Sequence, residues 1–250
     1  MMRCGLWTGM FYRHGFSLEK SLELLKSAGF ECAELCECYA AGCFRNGAIP
    51  DPLPLPLSQC HSPHLQAEKS DGEIMEWFDL FAGMLEKADI HVCVLHPMED
   101  HSRNLRLFPM LADCAANHSI RIGMENLIGR DSRLLAEYCE KNPLLGVNID
   151  SAHACANGEK TEDLIRFFGN RVIGVHFSDS DGGPEDQHLI PGKGIVRWGE
   201  VLSALNDAGY RGDFHLELPH ERCTEWEDTY KNACEAAASA KKILGKDGKC

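Results

Sequence analysis

Short apolar runs recur along the chain: Cys4–Trp7, Cys32–Leu35, Leu57–Cys60, Val92–Leu95, Ile120–Met124, Leu145–Ile149, Val172–Val175 and Asp213–Leu216. Each is a few residues long and apolar on both faces, as in a parallel strand buried on both sides. Helical patterns lie between most of them. Ile74, Trp77, Phe78, Phe81, Met84 and Leu85 are spaced three or four apart, which predicts an amphipathic helix. Ser70 with Glu73, and Thr224 with Glu227, have capping-box spacing at the start of such runs. Gly29 and Gly209 stand where helices should stop. The stretch Cys36–Ser58 breaks the alternation. It shows no convincing helix, so the second helix is expected to be missing or degenerate. Its Ile49–Pro56 portion, with four prolines, reads as an extended connection.

Eight strand–helix units of about 30 residues each predict an α/β protein with a parallel sheet, closed as a (β/α)8 TIM barrel. An open doubly wound sheet is the alternative, but no GxGxxG turn follows the first strand. The 250 residues suit one barrel domain spanning 1–250.

Composition narrows the class. Hydrophobic residues make up 44% and charged residues 25%, as in a folded protein and not a disordered one. Lys and Arg total 25 against 38 Asp and Glu, a net charge of −13, which argues against a nucleic-acid partner. The 13 cysteines include no CxxC pair and read as small buried hydrophobes in a reducing compartment. No apolar run reaches the roughly 18 residues of a membrane span. The N-terminal apolar stretch, broken by Arg13 and His14, reads as a first strand and not a signal peptide. A cytoplasmic protein is expected.

The candidate chemistry lies where the strands end. The third runs into Cys60-His61-Ser62-Pro63-His64, the fourth into His96-Pro97, and the fifth into Glu125-Asn126. The sixth ends at Asp150-Ser151-Ala152-His153, the seventh at His176-Phe177-Ser178-Asp179, and the eighth at Glu217-Leu218-Pro219. In a parallel barrel all six ends open on one face. A single such residue is usually a helix cap or a core histidine, but unrelated caps would have to recur at six matching positions. Converging carboxylates and imidazoles suit a divalent metal of the Zn, Mn, Fe or Co type. Asp186-x-His188 in the following loop offers two more ligands, although alone it reads as a polar turn.

Together these segments resemble the xylose isomerase-like barrel superfamily, over nearly the whole chain. That superfamily holds sugar and sugar-phosphate isomerases and epimerases, and also the endonuclease IV type of abasic-site nuclease (AP endonuclease family 2). The epimerase branch implies one divalent ion, Mn or Zn, held by Glu125, Asp150, His176 and Glu217. Glu125 and Glu217 double there as the catalytic acid/base pair, moving a carbon-bound proton through an enediolate. His153 matches a residue that contacts substrate oxygen. The Arg of several ketose 3-epimerases is replaced by Gly182, so their substrate preference does not carry over. The endonuclease branch implies three zinc ions and nine ligands: His61, His96, Glu125, Asp150, His153, His176, Asp186, His188 and Glu217. The tyrosine of that branch is replaced by His64.

The expected function is therefore a metal-dependent sugar or sugar-phosphate isomerase or epimerase with one to three ions and a small-molecule substrate. A multinuclear zinc phosphoesterase acting on abasic DNA is the alternative, and a silent ligand-binding barrel is the third reading. His64 is a further substrate-side candidate. Lys193, in Gly192-Lys193-Gly194, reads either as a phosphate contact or as a solvated turn lysine. Trp7 reads either as a pocket wall or as core. Glu34 and Glu37 read as surface residues or as members of the site. His14, His91, His101, His118, His215 and His220 fit no ligand pattern.

Overall fold

A computed structural model describes residues 2–218 and 223–246. Pro219, His220 and Cys250 lie outside the described residues.

Eight parallel strands form one sheet: β1 Cys4–Trp7, β2 Cys32–Leu35, β3 Leu57–His61, β4 Val92–Leu95, β5 Arg121–Glu125, β6 Gly146–Asp150, β7 Val172–His176 and β8 Phe214–Leu216. The order is β7-β6-β5-β4-β3-β2-β1-β8, and a parallel bridge from Phe177 to Leu216 closes the ring. The fold is a TIM barrel, with every strand at or within one residue of its expected position. The strands are short and buried almost throughout, which is why they read as continuous apolar runs.

Helices connect the strands: α1 Gly9–Tyr12, α2 Leu18–Ala28, α3 Glu37–Asn46, α4 Asp71–Lys87, α5 His101–Asn117, α6 Leu135–Lys141, α7 Ser151–Ala156, α8 Thr161–Phe168, α9 Trp198–Asp207 and α10 Trp226–Ile243. In α4 the periodic residues Ile74, Phe78, Phe81, Met84 and Leu85 are buried, and Ser70 and Glu73 make the reciprocal capping box. Gly29 ends α2 in the left-handed conformation.

Two expectations fail. The second helix is present as α3. It was hard to read because Cys36 caps it without a side-chain hydrogen bond and Gly42 sits in its middle. It also packs in two directions: Tyr39, Ala40 and Cys43 are buried, and Phe44 sits edge-on to Trp77 and Phe81 of α4. The Thr224–Glu227 capping box does not form. Helix α10 begins at Trp226 behind Glu225, so Glu227 stands one position too early to reach back.

Candidate metal centre at the strand ends

The C-terminal mouth of the barrel gathers the strand-end residues. One ligand atom from each of Glu125, Asp150, His176 and Glu217 lies within 4.8 Å of the others. His176 Nδ1 is 2.8 Å from Glu125 Oε2 and 2.9 Å from Glu217 Oε2. His176 Nδ1, Glu217 Oε2 and Asp150 Oδ2 are all buried, and none has a partner in hydrogen-bond alignment. Buried polar atoms are seldom left this way without an ion or water to satisfy them. Their convergence fits a divalent cation.

The residues around this centre fix its geometry. Asp150 uses Oδ1 to accept from the His153 backbone N–H at 2.7 Å, capping α7, and leaves Oδ2 free. The cap reading and the ligand reading of Asp150 therefore hold together. Asn126 locks the β5–β6 pair: its Nδ2 donates to Asp150 O and its Oδ1 accepts from Asp150 N. Asn148 Nδ2 donates to Glu125 Oε2 at 3.0 Å. Glu34, read earlier as a surface or site residue, is fully buried in β2, with an oxygen 2.8 Å from His176 Nε2. A carboxylate behind a ligating imidazole sets its tautomer and its direction.

Two further groups flank the centre. His61 Nε2 and His96 Nε2 are 3.0 Å apart, and His96 Nε2 is 3.4 Å from Glu125 Oε1. On the other side, Asp186 Oδ1 is 2.6 Å from His188 Nε2, and Asp186 Oδ2 is 3.6 Å from His153 Nε2. His153 Nδ1 is 2.8 Å from Asn126 O, so that nitrogen donates and Nε2 faces the site. All nine strand-end and loop residues thus share one mouth.

The loop between β7 and α9 reaches the site because Asp179 braces it. Its buried carboxylate accepts from Gly192 N, Val196 N and Trp198 Nε1 at 2.7, 2.9 and 3.1 Å. Asp179 and Leu189 also exchange backbone hydrogen bonds. Gly194 is required here, since a Cβ would lie 2.2 Å from Ser180 O. Sequence reading gave Asp179 no role. The signal was an acidic residue three positions past the strand-end histidine.

The electrostatics favour positive charge in the centre. Burial raises the Glu217 carboxyl, but His176 and His188 outweigh this and bring it down to about 2. Glu125 is likewise pushed up by burial and drawn well down by His176 and His96. Burial lowers His153 and His188, yet the carboxylates around them, Asp150 first, raise these to about 11 and about 9. The carboxylates thus attract positive charge into a buried space, and a divalent ion provides it with neutral imidazoles.

The remaining candidates lie at the edges. His64 is exposed, with its ring centroid 4.9 Å from that of His96. It also lines a cavity of about 540 Å³ between α3 and α4, which shares none of the nine strand-end and loop residues. Lys193 pairs with Glu235 of α10 at 2.6 Å and lines a cavity of about 150 Å³ together with His188. Trp7 is 5% exposed and belongs to the core.

Comparison with known proteins agrees with the architecture. An uncharacterized protein of Methanocaldococcus jannaschii is 29% identical over 162 residues, covering 56% of this chain and 54% of its own. A D-psicose 3-epimerase of Enterocloster bolteae is 26% identical over 127 residues, 47% of this chain and 40% of its own. The chain therefore spans about half of the length of these relatives. The crystal structure of IOLI protein with a zinc atom superposes with a TM-score of 0.76 at 16% identity, covering all of both chains. That likeness concerns the fold. The family described as the xylose isomerase-like TIM barrel matches residues 108–240, just over half of the chain. With eight parallel strands closed in a ring and their ligating ends in one mouth, the chain belongs to the xylose isomerase-like TIM barrel family.

Proposed function

We propose that the chain is a metal-dependent isomerase or epimerase of a small polyhydroxylated carbonyl compound, a sugar or sugar phosphate. The observation that carries this is the convergence of Glu125, Asp150, His176 and Glu217 on one buried point, with three of their atoms left without hydrogen bonds. A divalent cation there supplies Lewis-acid polarisation of the substrate's carbonyl and hydroxyl oxygens.

The chain's own residues do the rest. Glu125 and Glu217 are the carboxylates able to take and return a proton on carbon. Both lie against His176 Nδ1, at 2.8 and 2.9 Å, and in this reading a substrate bound between them meets one carboxylate on each face. One removes the proton, leaving an enediolate, and the other delivers a proton from the opposite face, which inverts that carbon. Delivery at the neighbouring carbon gives the isomerase outcome. Asn148 fixes the Glu125 carboxylate from behind, which keeps its other oxygen directed at the mouth. Glu217, with 20% of its side chain exposed, is the more accessible of the pair. His153 Nε2, the acceptor nitrogen once Nδ1 donates to Asn126 O, points into the mouth and accepts from a substrate hydroxyl. The sibling epimerase of Enterocloster bolteae supports a ketose as the substrate class.

The test is incubation of metal-loaded protein with a ketose panel in deuterated water, with Mn, Co or Zn supplied in turn. Deuterium should enter at the carbon beside the carbonyl. If no sugar exchanges, the reading falls.

A second reading rests on one specific observation. The groups His61–His96–Glu125 and Asp150–His153–His188 each offer three ligand atoms within 4.8 Å, beside the first centre. Room for three ions favours a phosphoesterase of the abasic-site type. Cleavage of an abasic duplex by zinc-loaded protein, abolished by chelator, would shift the assignment to it.

A further inference from the structure

Toward the N-terminal end of the barrel, one level below Glu34 and Glu217, lies a second gathering of ligating side chains. Cys32 opens β2, His215 lies in β8, and Asp213 precedes β8. Ligand atoms of the three lie within 4.8 Å of one another. The register explains why. Gly5 of β1 pairs with Cys32 on one side and with His215 on the other, so the three residues form one level of the barrel.

Gly5 makes the space. A Cβ there would stand 2.6 Å from His215 Nδ1 and 2.9 Å from Cys32 Sγ. Both atoms therefore look onto the same gap, which only a glycine leaves open. His215 is 1% exposed, and its Nδ1 has no hydrogen-bond partner. Its other nitrogen, Nε2, is 2.9 Å from Ser58 Oγ. A serine holding Nε2–H leaves a lone pair on Nδ1, which is the arrangement of a metal-ligating histidine. Arg3 binds Asp213 through both carboxylate oxygens, at 3.0 and 2.6 Å, and orients it while leaving lone pairs for a cation.

We propose that Cys32, Asp213 and His215 form a second metal site, for zinc or a similar divalent ion that takes thiolate, imidazole and carboxylate together. The donor set matches the tetrahedral preference of zinc, with the fourth position open to water past half-buried Asp213. Binding converts the Cys32 thiol to a metal-bound thiolate, and the proton leaves to solvent. The site does not touch the catalytic mouth. It ties β8 to β2 across β1, at the seam where the first and last strands meet.

Cobalt titration tests this, because the mouth contains no cysteine and the new site does. The full chain is titrated with Co(II), and also refolded in its presence so that burial does not block entry. The expected result is a thiolate-to-cobalt charge-transfer band in the near ultraviolet. Cys32→Ala and His215→Gln should each abolish the band and remove one equivalent of bound metal. Absence of the band in the unaltered chain under both loadings overturns the proposal, as does its persistence in Cys32→Ala. If those variants do not fold, X-ray absorption of the unaltered zinc-loaded chain decides. A sulfur shell near about 2.3 Å upholds the site, and a shell of oxygen and nitrogen alone overturns it.

Discussion

Glu125 and Glu217 look alike in the sequence and differ in their surroundings. Glu125 is 1% exposed and is held by Asn148, whereas Glu217 borders solvent. Changing either to Gln should keep the fold and lower turnover and carbon–deuterium exchange by about 10²–10⁴-fold, as expected for loss of a general acid or base. Glu34 should behave differently, since it touches His176 and not the substrate. Glu34→Gln should weaken metal affinity by about 10–100-fold, measured by competition with a chelator, with turnover recovering at saturating metal. A purely structural role would leave affinity unchanged. Most of the mouth residues were legible because they end or directly follow a strand, where a polar side chain after an apolar run stands out. Glu34 was legible only as one of two alternatives, because it sits inside the run Cys32–Leu35 and looks equally like a surface interruption. A buried carboxylate inside a strand is itself the signal, but only once its partner is known to lie 142 positions away.

At the scale of elements, the strands were legible and α3 was not, and the cause is packing. The strands bury both faces, so their composition alone marks them. Helix α3 divides its contacts between the barrel and α4, which blurs the single apolar stripe that a sequence shows. Its Gly42 has helical backbone, and a Cβ there would meet nothing within 4 Å. Gly42→Ala should therefore stabilise the chain by about 0.5–1 kcal/mol in urea denaturation. A second element-scale prediction concerns the α4–α5 contact. His118, at the end of α5, lies 2.9 Å from Asp79 and 3.0 Å from Glu86, both on α4. The hydrogen bond with Asp79, then that with Glu86, raises the His118 pKa. A histidine with a raised folded-state pKa stabilises fully below its unfolded value, about 6.5, and that stabilisation is lost as pH rises through the folded value. His118→Gln should thus lower Tm more at pH 6 than at pH 9.

For the whole molecule, the −13 charge takes on a local meaning. Part of it is concentrated in the mouth, where Glu34, Glu125, Asp150, Asp186 and Glu217 face buried imidazoles. Stability should therefore depend on metal. A chelator should lower Tm, and metal at 100 times its Kd should add about 2.7 kcal/mol over the apo protein in denaturant titrations. No helix among the described residues is long and apolar enough to cross a membrane.

The Asp179 brace has an evolutionary consequence. The segment from Ser180 to Val196 leaves the barrel and returns to it around the Asp179 carboxylate, with the Asp179–Leu189 backbone pair, the Ile195 N–H to Ser180 O bond and Ser239 Oγ on Pro191 O clamping its base. Residues 181–186 lie outside that clasp. Their length and composition can drift by insertion or exchange while the strands below register nothing. Because this excursion carries Asp186, a change of cassette there retools the mouth and leaves the scaffold as it was. In such a barrel, new specificities arise first at the tip of an excursion whose base is clamped.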